Sequence, residues 1–390
     1  MGTDVKYMHS SMTGAPTLSG QAGTLIALLD ACLVNGFGLG TLDSLVIAGG
    51  VATATRAAGH PFEVDSVALV AGATVTGGTV NGERKVLSVT GTTYTFDATG
   101  LADQTATGTI THKVAPAGWA KEFNATNLAV YKSSDVAATA CRLRVDDTGT
   151  NNARVVGYQT MTDVNTGIGP FPTAAQVSGG AYWGKSASAD ATTRPWIIVA
   201  DARGFYLAVS WNSGSAYQTA FFGDIASNKS TDAYGCVLQA SNSSITSSTP
   251  GVTSGSELSY SNPAAEQQGW LARNALGVGG SKTFIKSAAA PTLGTFGIFS
   301  GSNSGSPTMI QYPNPADNGL YLTPLMICEL TPNTFRGVFP GYLYAAQNLG
   351  ATTFTTRDKV AGVSGMAGRS LIAVGNNVGF AFIDITGPWR

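Results

Sequence analysis

Alternation of apolar and polar side chains over Trp196–Ile225 predicts three antiparallel β-strands joined by two tight turns. The first turn, Asp201–Gly204, ends on a glycine that can adopt a positive φ. The second turn is the polar run Asn212–Ser215. Because this stretch holds the densest aromatic cluster of the chain, its inward-facing residues are predicted to form the core of a β-rich body. Those residues are Trp196, Phe205, Leu207, Val209 and Trp211.

Apolar residues that recur at helical spacing predict one helix near the N-terminus. Ser19 is the predicted N-cap of this helix, and Asn35-Gly36 provides its predicted C-cap. The apolar positions are Leu25, Ile26, Leu28, Leu29, Cys32 and Leu33. Since the rest of the chain is dominated by strand patterns, this amphipathic helix is expected to lie across the face of a sheet.

Short strand-like runs separated by glycine and proline predict a small β-module over residues 45–113. Six such runs occur, and the pair Asn81-Gly82 between two of them predicts a type I′ hairpin. The module is almost free of aromatic residues, whereas the flanking segments are rich in them. This change in composition predicts an inserted sandwich or barrel domain, with residues 1–44 and 114–390 forming the main body.

Strand patterns continue through the main body. Every second residue of Cys141–Val145 is apolar, which predicts a half-exposed strand, and residues 147–152 are the predicted turn after it. Glycine and proline in Thr334–Tyr344 predict an irregular loop, and the Ser/Thr-rich residues 241–264 predict a long loop. The final Gly-Pro-Trp-Arg is expected to dock on the body. The predicted fold is mainly β, with an antiparallel sandwich-like body, one N-terminal amphipathic helix and an inserted small β-domain.

Composition narrows the class of protein. Only 12% of the residues are charged and 43% are hydrophobic, which is typical of a folded chain. Few charges and many small residues favour a chain that buries surface against copies of itself, or alternatively a secreted β-sandwich. The net charge is -1 and no basic run exceeds Arg84-Lys85, so direct nucleic-acid binding is not expected. No apolar run reaches the roughly 18 residues of a membrane span, and no export signal is evident.

Cysteine and histidine are too dispersed in the sequence to indicate a redox or metal site. The cysteines are Cys32, Cys141, Cys236 and Cys328, and the histidines are His9, His60 and His112. Each cysteine has apolar neighbours, which predicts buried reduced thiols in a protein made in the cytoplasm. Two disulfides remain the alternative for an exported protein. The histidines are predicted to have structural or surface roles.

No motif indicates catalysis. Gly277–Thr283 resembles a phosphate-binding loop, but Ser281 stands where the motif requires glycine. Residues 146–151 lack the acidic spacing of a calcium loop, and a hairpin turn explains them. Alternation places most of the candidate sugar-stacking aromatics in a core; these are Trp183, Trp196, Tyr206, Trp211 and Tyr217. We therefore predict no catalytic, cofactor-binding or metal-binding residues and no cofactor.

Several segments carry a resemblance to a known family. Lys6–Gly38 and Ala117–Ser133 resemble the opening of a family of virion structural proteins of tailed bacteriophages and prophages, in which the two blocks follow each other closely. The further segments that resemble this family are Arg144–Pro172, Phe221–Ile225, Phe335–Tyr344, Gly368–Gly375 and Phe382–Arg390. The module at residues 45–113 resembles, more weakly, small β-domains of phage tail and baseplate proteins.

The resemblance implies a non-enzymatic structural component of a phage virion, in the tail or baseplate. It implies a symmetric oligomer in contact with copies of itself and with other virion proteins, made in the bacterial cytoplasm and located in the virion. The alternatives are a tail protein that binds a host glycan or pilus through residues 241–264, a capsid decoration protein, and a glycan-degrading virion enzyme. The family supplies no catalytic residues to carry over to this chain.

Overall fold

The computed structural model of the chain is built almost entirely from antiparallel sheets. The described residues are 2–214, 216–244, 269–292, 295–299, 310–330, 334–345, 347–349, 353–376 and 379–390. Strands hold 46% of the residues and helix holds 4%, so the mainly β, sandwich-like fold with one short helix is confirmed. The predicted loop at 241–264 lies outside the described residues from residue 245 onward.

The N-terminal segment contributes one strand and the helix. These elements are β1 (Lys6–His9), α1 (Thr24–Leu29) and a π-helical turn (Asp30–Asn35). The predicted N-cap at Ser19 is wrong, because α1 begins after Gly23. The carboxylate of Asp147, distant in sequence, accepts hydrogen bonds from the first backbone N–H groups of the helix instead. Gly36, at φ 73°, ends the helical segment as predicted.

Eight strands form a sheet of their own between residues 37 and 114. They are β2 (Phe37–Thr41), β3 (Ser44–Ala48), β4 (Val51–Thr55), β5 (Val67–Ala71), β6 (Gly82–Val89), β7 (Thr93–Asp97), β8 (Gln104–Thr105) and β9 (Thr111–Val114). Their order is β2-β9-β5-β6-β7-β4-β3-β8, so the sheet recruits β2 from before the predicted boundary at residue 45. Because the apolar side chains of this sheet are continuous with the core of the body, its independence as an inserted domain stays a prediction.

The tight hairpin of this sheet lies elsewhere than predicted. Gly49 and Gly50, at φ 57° and 77°, form the two-residue turn between β3 and β4. The prediction at Asn81-Gly82 is wrong, since ten residues separate the paired strands β5 and β6. The Asn81 amide instead holds that connection closed by bonding to the N–H and C=O of Ala73, at 2.9 and 2.8 Å.

A second sheet covers one face of the body. Its strands are β10 (Trp119–Ala125), β11 (Leu128–Ser133), β12 (Arg142–Asp146), β13 (Asn152–Met161), β14 (Gly167–Phe171) and β15 (Ala181–Gly184). They pair in the order β10-β11-β12-β13-β14, and β15 also pairs with β13. The half-exposed strand is confirmed, because Leu143 and Val145 are buried while Arg142 and Arg144 are partly exposed. The hairpin turn that follows β12 is confirmed as well.

The predicted three-stranded meander is confirmed as the middle layer of the molecule. This layer contains β16 (Trp196–Ala200), β17 (Gly204–Val209), β18 (Gln218–Asp224), β19 (Ala226–Ser227), β20 (Cys236–Gln239) and β21 (Gly269–Leu271). Every residue of β16, β17 and β18 is buried. Phe205 packs on one side against Trp119 and Trp183 of the second sheet, and its neighbour Tyr206 packs on the other side against Tyr342. Both faces of the meander are therefore core.

The C-terminal strands extend the middle layer and cover its remaining face. They are β22 (Lys282–Thr292), β23 (Thr295–Phe299), β24 (Ile310–Gln311), β25 (Leu322–Glu329), β26 (Thr334–Ala345), β27 (Gln347–Asn348), β28 (Lys359–Ala361), β29 (Ser370–Asn376) and β30 (Gly379–Asp384). The sheet runs β1-β16-β17-β18-β20-β21-β22-β25-β26-β30-β29-β28, and β19 and β23 pair beside it with β26 and β22. Strands β24 and β27 pair with each other in a separate two-stranded parallel sheet. Apolar residues of its two halves share one core, so the sheet folds back on itself.

The irregular loop predicted at Thr334–Tyr344 is wrong, because these residues belong to the twelve-residue strand β26. Its glycines serve close packing within the sheet. A Cβ at Gly337 would lie 2.2 Å from the carbonyl oxygen of Ala226, and one at Gly341 would overlap the indole of Trp389. The glycines in this segment therefore indicate close approach of a neighbouring strand and of the Trp389 side chain, and they do not indicate a loop.

Candidate functional site

The last residues of the sequence dock on the meander, as predicted. The indole Nε1 of Trp389 donates to the carbonyl oxygen of Asp384 at 2.8 Å, and its ring centre lies 5.4 Å from that of Tyr206. Arg390 reaches the first turn of the meander, where its guanidinium contacts Asp201 at 2.6 Å. It also donates to the carbonyl oxygen of Asp224 at 2.8 Å. The docked tail thereby ties the end of the last strand to the middle layer.

Two polar clefts adjoin this contact and share the side chains of Arg203 and Arg390; we call them the arginine clefts. The larger has a volume of about 350 Å³, and its charged lining residues also include Asp4, Lys6, Glu83, Asp135 and Asp201. The smaller has a volume of about 300 Å³ and is also lined by residues such as Thr139, Asp224, Lys229 and Asp232. Both clefts are lined mainly by polar and charged side chains.

Several charged residues that line the arginine clefts form ion pairs with one another. Arg390 pairs with Asp201, Arg203 pairs with Asp224 at 3.2 Å, and Lys6 pairs with Glu83 at 2.7 Å. Burial raises the pKa of the Asp201 carboxyl, and the Arg390 guanidinium opposes that rise. These three pairs bring both signs of charge together, so the clefts present a mixed-charge surface.

The turn Asp201–Gly204, which lies beneath the clefts, uses its glycine for a different purpose than predicted. Gly204 does not adopt a positive φ. A Cβ at this position would lie 3.0 Å from Phe221 and 3.2 Å from Arg390, so the glycine makes room for neighbouring side chains. The Asp201 carboxylate shapes the turn by accepting the N–H groups of Arg203 and Gly204, at 2.8 and 2.7 Å.

A second polar centre is fully enclosed between the helix and the second sheet. Asp147 and Lys185 are both 0% exposed, and their charged groups lie 2.5 Å apart. The other carboxylate oxygen of Asp147 accepts the N–H groups of Leu25 and Ile26, at 2.8 and 3.1 Å. The Lys185 ammonium also donates to the carbonyl oxygen of Gln21 at 2.8 Å. We call Asp147 and Lys185 the enclosed pair.

Two of the predicted structural histidines come together inside the eight-stranded sheet. The rings of His60 and His112 both contact Tyr94, with centres 5.4 and 5.5 Å away, and Phe62 completes the cluster. His112 is buried and its Nδ1 lies 3.1 Å from the Tyr94 hydroxyl. His9 lies outside this cluster, and its Nε2 is 2.9 Å from the carboxylate of Glu63. Within the described residues, no group of three His, Cys, Asp or Glu side chains could hold a metal ion.

The stability of the protein is expected to fall as the pH drops from about 6.5 to 4, in part because of His112. Burial, with smaller contributions from Arg56 and His60, lowers the pKa of His112 to about 4. The unfolded chain takes up this proton near the ordinary pKa of about 6.5, so acid favours unfolding. The shift in pKa corresponds to about 3 kcal/mol of the free energy of unfolding. This contribution is fully present above the pKa of the unfolded chain and is lost as the pH falls towards 4.

Urea unfolding at pH 7 and pH 4.5 measures this effect. His112→Gln, which keeps a polar partner for Tyr94 but does not titrate, is expected to lose less stability between the two pH values than the wild type. The control is His60→Gln, which should retain most of the wild-type difference. Equal pH dependence in wild type and His112→Gln would show that His112 does not contribute.

The predicted buried residues are largely found in the core. Trp183, Trp196, Tyr206 and Trp211 are buried, and Tyr217 is half-buried, so the core interpretation of these aromatics is confirmed for four of the five. All four cysteines are free thiols, of which Cys328 alone is half-buried. The phosphate-loop-like residues lead into strand β22 at Lys282, which agrees with rejecting that motif.

Sequence reasoning missed both polar centres. Asp201 and Arg390 are 189 positions apart, and Asp147 and Lys185 are 38 apart. The sequence did contain one signal. Charged residues are few in this chain, so each of them is a candidate for a structural ion pair. The partner of each charge depends on how distant strands meet, which periodicity does not report.

Two comparisons with known proteins found no match. No protein-family model matches the chain. No curated protein is significantly similar to it either. Among the described residues, no helix combines the length and the apolar character that crossing a membrane requires. The resemblance to virion proteins therefore rests on the segments named above and stays a prediction.

Proposed function

We propose that this protein is a structural component of a phage or prophage virion, located in the tail or baseplate and assembled as a symmetric oligomer. The observation that carries the proposal is that the segments with the family resemblance, although scattered along the chain, contact one another at the centre of the body. In a family whose members share a central body and differ in their peripheral modules, these central segments would be the shared ones.

The contacts between these segments are specific and mostly buried. The Trp119 indole in segment Ala117–Ser133 packs against Phe222 in segment Phe221–Ile225, with ring centres 6.0 Å apart. Phe221 packs against Phe339 in segment Phe335–Tyr344, with ring centres 5.4 Å apart. Arg390 in the last segment donates to the carbonyl oxygen of Asp224 at 2.8 Å. Asp147 in turn holds the helix of the first segment.

Features of the surface support self-assembly. Strands β10 and β14 end the second sheet, and each pairs with a single neighbour within the described residues. On β14, Ile168 is 70% exposed. An unpaired edge with an exposed apolar residue is a surface that another chain can extend or cover. The arginine clefts add firm polar surface for contacts with a second protein.

Mass spectrometry of purified phage particles that encode the chain tests the location. Peptides of the chain are expected at a fixed ratio to tail proteins in isolated tails, and not in isolated heads. Recovery with heads would favour the decoration-protein alternative. A chain absent from particles and monomeric at high concentration would overturn the proposal.

Analytical ultracentrifugation of the purified protein tests the oligomer. A single species of defined stoichiometry is expected, and Ile168→Lys should weaken it because it places a charge on the sheet edge. Thr92→Lys, in an exposed turn of the eight-stranded sheet, is the matched control and should leave it unchanged. The receptor-binding alternative makes a different prediction, namely that purified protein competes with phage for adsorption to host cells.

A further inference from the structure

We propose that Lys185 and Asp147 condense with each other inside the folded protein to form an intramolecular amide bond. The product is a covalent cross-link between the turn after β12 and the residue that follows β15. The inference rests on the geometry of the enclosed pair alone and does not depend on where the protein resides in a virion.

Enclosure removes the stabilisation that water gives to two ions. Both side chains are 0% exposed, and the Lys185 ammonium lies 2.5 Å from Asp147 Oδ1. In a low-dielectric interior, transfer of a proton from the ammonium to the carboxylate exchanges two buried ions for a neutral amine and a neutral acid. Burial raises the pKa of the Asp147 carboxyl, which acts in the same direction. A neutral amine held against a carboxyl group is the reactive pair for amide formation.

The backbone supplies the stabilisation that the reaction needs. Asp147 Oδ2 already accepts the N–H groups of Leu25 and Ile26. When the amine attacks the carboxyl carbon, negative charge develops on Oδ2, where these two donors are already in place. Enclosure also holds the two reacting groups together, which replaces a bimolecular encounter by an intramolecular step.

The atoms balance without any further reagent. A bond forms between Lys185 Nζ and Asp147 Cγ, and the bond between Cγ and Oδ1 breaks. Oδ1 leaves as water with two of the three ammonium protons, and the third proton stays on the amide nitrogen. No electron donor or acceptor takes part.

The hydrogen bonds already present match the product better than the reactants. For its three N–H groups, the ammonium finds two acceptors among the described residues, Asp147 Oδ1 and the carbonyl oxygen of Gln21. The amide has a single N–H, which the Gln21 carbonyl can accept, and its oxygen keeps the bonds from Leu25 and Ile26. Condensation therefore removes a buried charge pair and leaves no polar group of the link unsatisfied.

Mass spectrometry of the intact, denatured full-length protein tests the inference directly. The wild type is expected to be lighter than its sequence by one water molecule. After trypsin digestion, the peptide of Asp147 that ends at Arg154 should be recovered joined to the peptide of Lys185, with no cleavage after Lys185. Lys185→Arg keeps the charge pair but cannot form this lysine amide, and it should show the full sequence mass.

A matched control comes from the neighbouring pair Lys121–Asp30. These groups lie 2.8 Å apart, a similar distance, but their side chains are 26% and 23% exposed, so water stabilises the ions. Lys121→Arg should therefore retain the loss of one water. If the Lys185→Arg variant fails to fold, recovery of the joined tryptic peptide from the wild type is sufficient to test the proposal. A wild type with the full sequence mass and normal cleavage after Lys185 would overturn the proposal.

Discussion

Replacing Arg336 by methionine is expected to destabilise the protein by about 3–5 kcal/mol, because it leaves two buried carboxylates without their cation. The guanidinium of Arg336 lies 2.8 Å from Glu329 and 2.7 Å from Asp232, and all three side chains are 5% exposed or less. It also donates to the carbonyl oxygen of Arg273 at 3.0 Å. This cluster links β26 and β25 to the turn after β19. Urea unfolding at pH 7 measures the loss.

Two comparisons make the Arg336 result specific. Lys359→Met removes the cation of a pair at 3.1 Å whose side chains are 32% and 21% exposed, and it should cost about 1 kcal/mol or less. Replacing the whole cluster, as in Arg336→Met with Glu329→Leu and Asp232→Leu, should restore much of the stability since no buried charge remains. A single Arg336→Met variant as stable as wild type would show that water reaches these carboxylates.

Phe205→Ala is expected to destabilise the protein by about 3–5 kcal/mol through loss of buried surface and creation of a cavity. Phe205 is fully buried, and its ring contacts those of Trp119, Trp183 and Phe222, at centre distances of 5.5, 5.9 and 6.4 Å. The three neighbours come from β10, β15 and β18, so the cavity would open where two sheets meet. Rigid secondary structure on three sides limits how far the site can collapse.

Size and position supply the controls for Phe205. Phe205→Leu retains most of the apolar volume and should cost about 1.5 kcal/mol or less. Phe335→Ala on β26 removes a ring that is 45% exposed and should change stability far less than Phe205→Ala. A Phe205→Ala variant that unfolds at the wild-type urea concentration would place this aromatic cluster outside the cooperative core.

The proposed amide link would suit the proposed virion role, because it would make the protein more resistant to unfolding. Asp147 binds the helix of the N-terminal segment through hydrogen bonds, and an amide to Lys185 would fix that anchoring residue covalently within the second sheet. A virion component endures outside the cell without renewal, and a covalent link resists unfolding that breaks only non-covalent contacts. The two proposals are nevertheless tested separately, one by the mass of the purified chain and the other by its place in the particle.

Local rules succeeded where the structure is local. The half-exposed strand at Arg142–Asp146 and the strands of the meander were predicted because side chains alternate between faces along a strand. The hairpin turn after β12 followed from its polar residues. The helix itself was predicted from its apolar spacing, and Gly36 from its position at the end of that spacing.

Local rules failed where a distant group took over a local role. Ser19 is a suitable N-cap by type, but the Asp147 carboxylate binds the first N–H groups and α1 begins later. Asn81-Gly82 has the composition of a hairpin turn, yet the Asn81 side chain closes a wider connection. The glycines of β26 match a loop by composition, yet in the fold they make room for β19 and for Trp389.

By itself, the sequence determined the mainly β class, the meander around Phe205 and the one helix, because periodicity of two or of about 3.6 residues is written into neighbouring positions. Burial of the meander on both faces, the pairing of Arg390 with Asp201 and the meeting of Lys185 with Asp147 became known from the fold. Burial of a second face and the partner of a charge depend on how sheets stack. Stacking brings together residues that are tens to hundreds of positions apart, and no local pattern encodes which of them will meet.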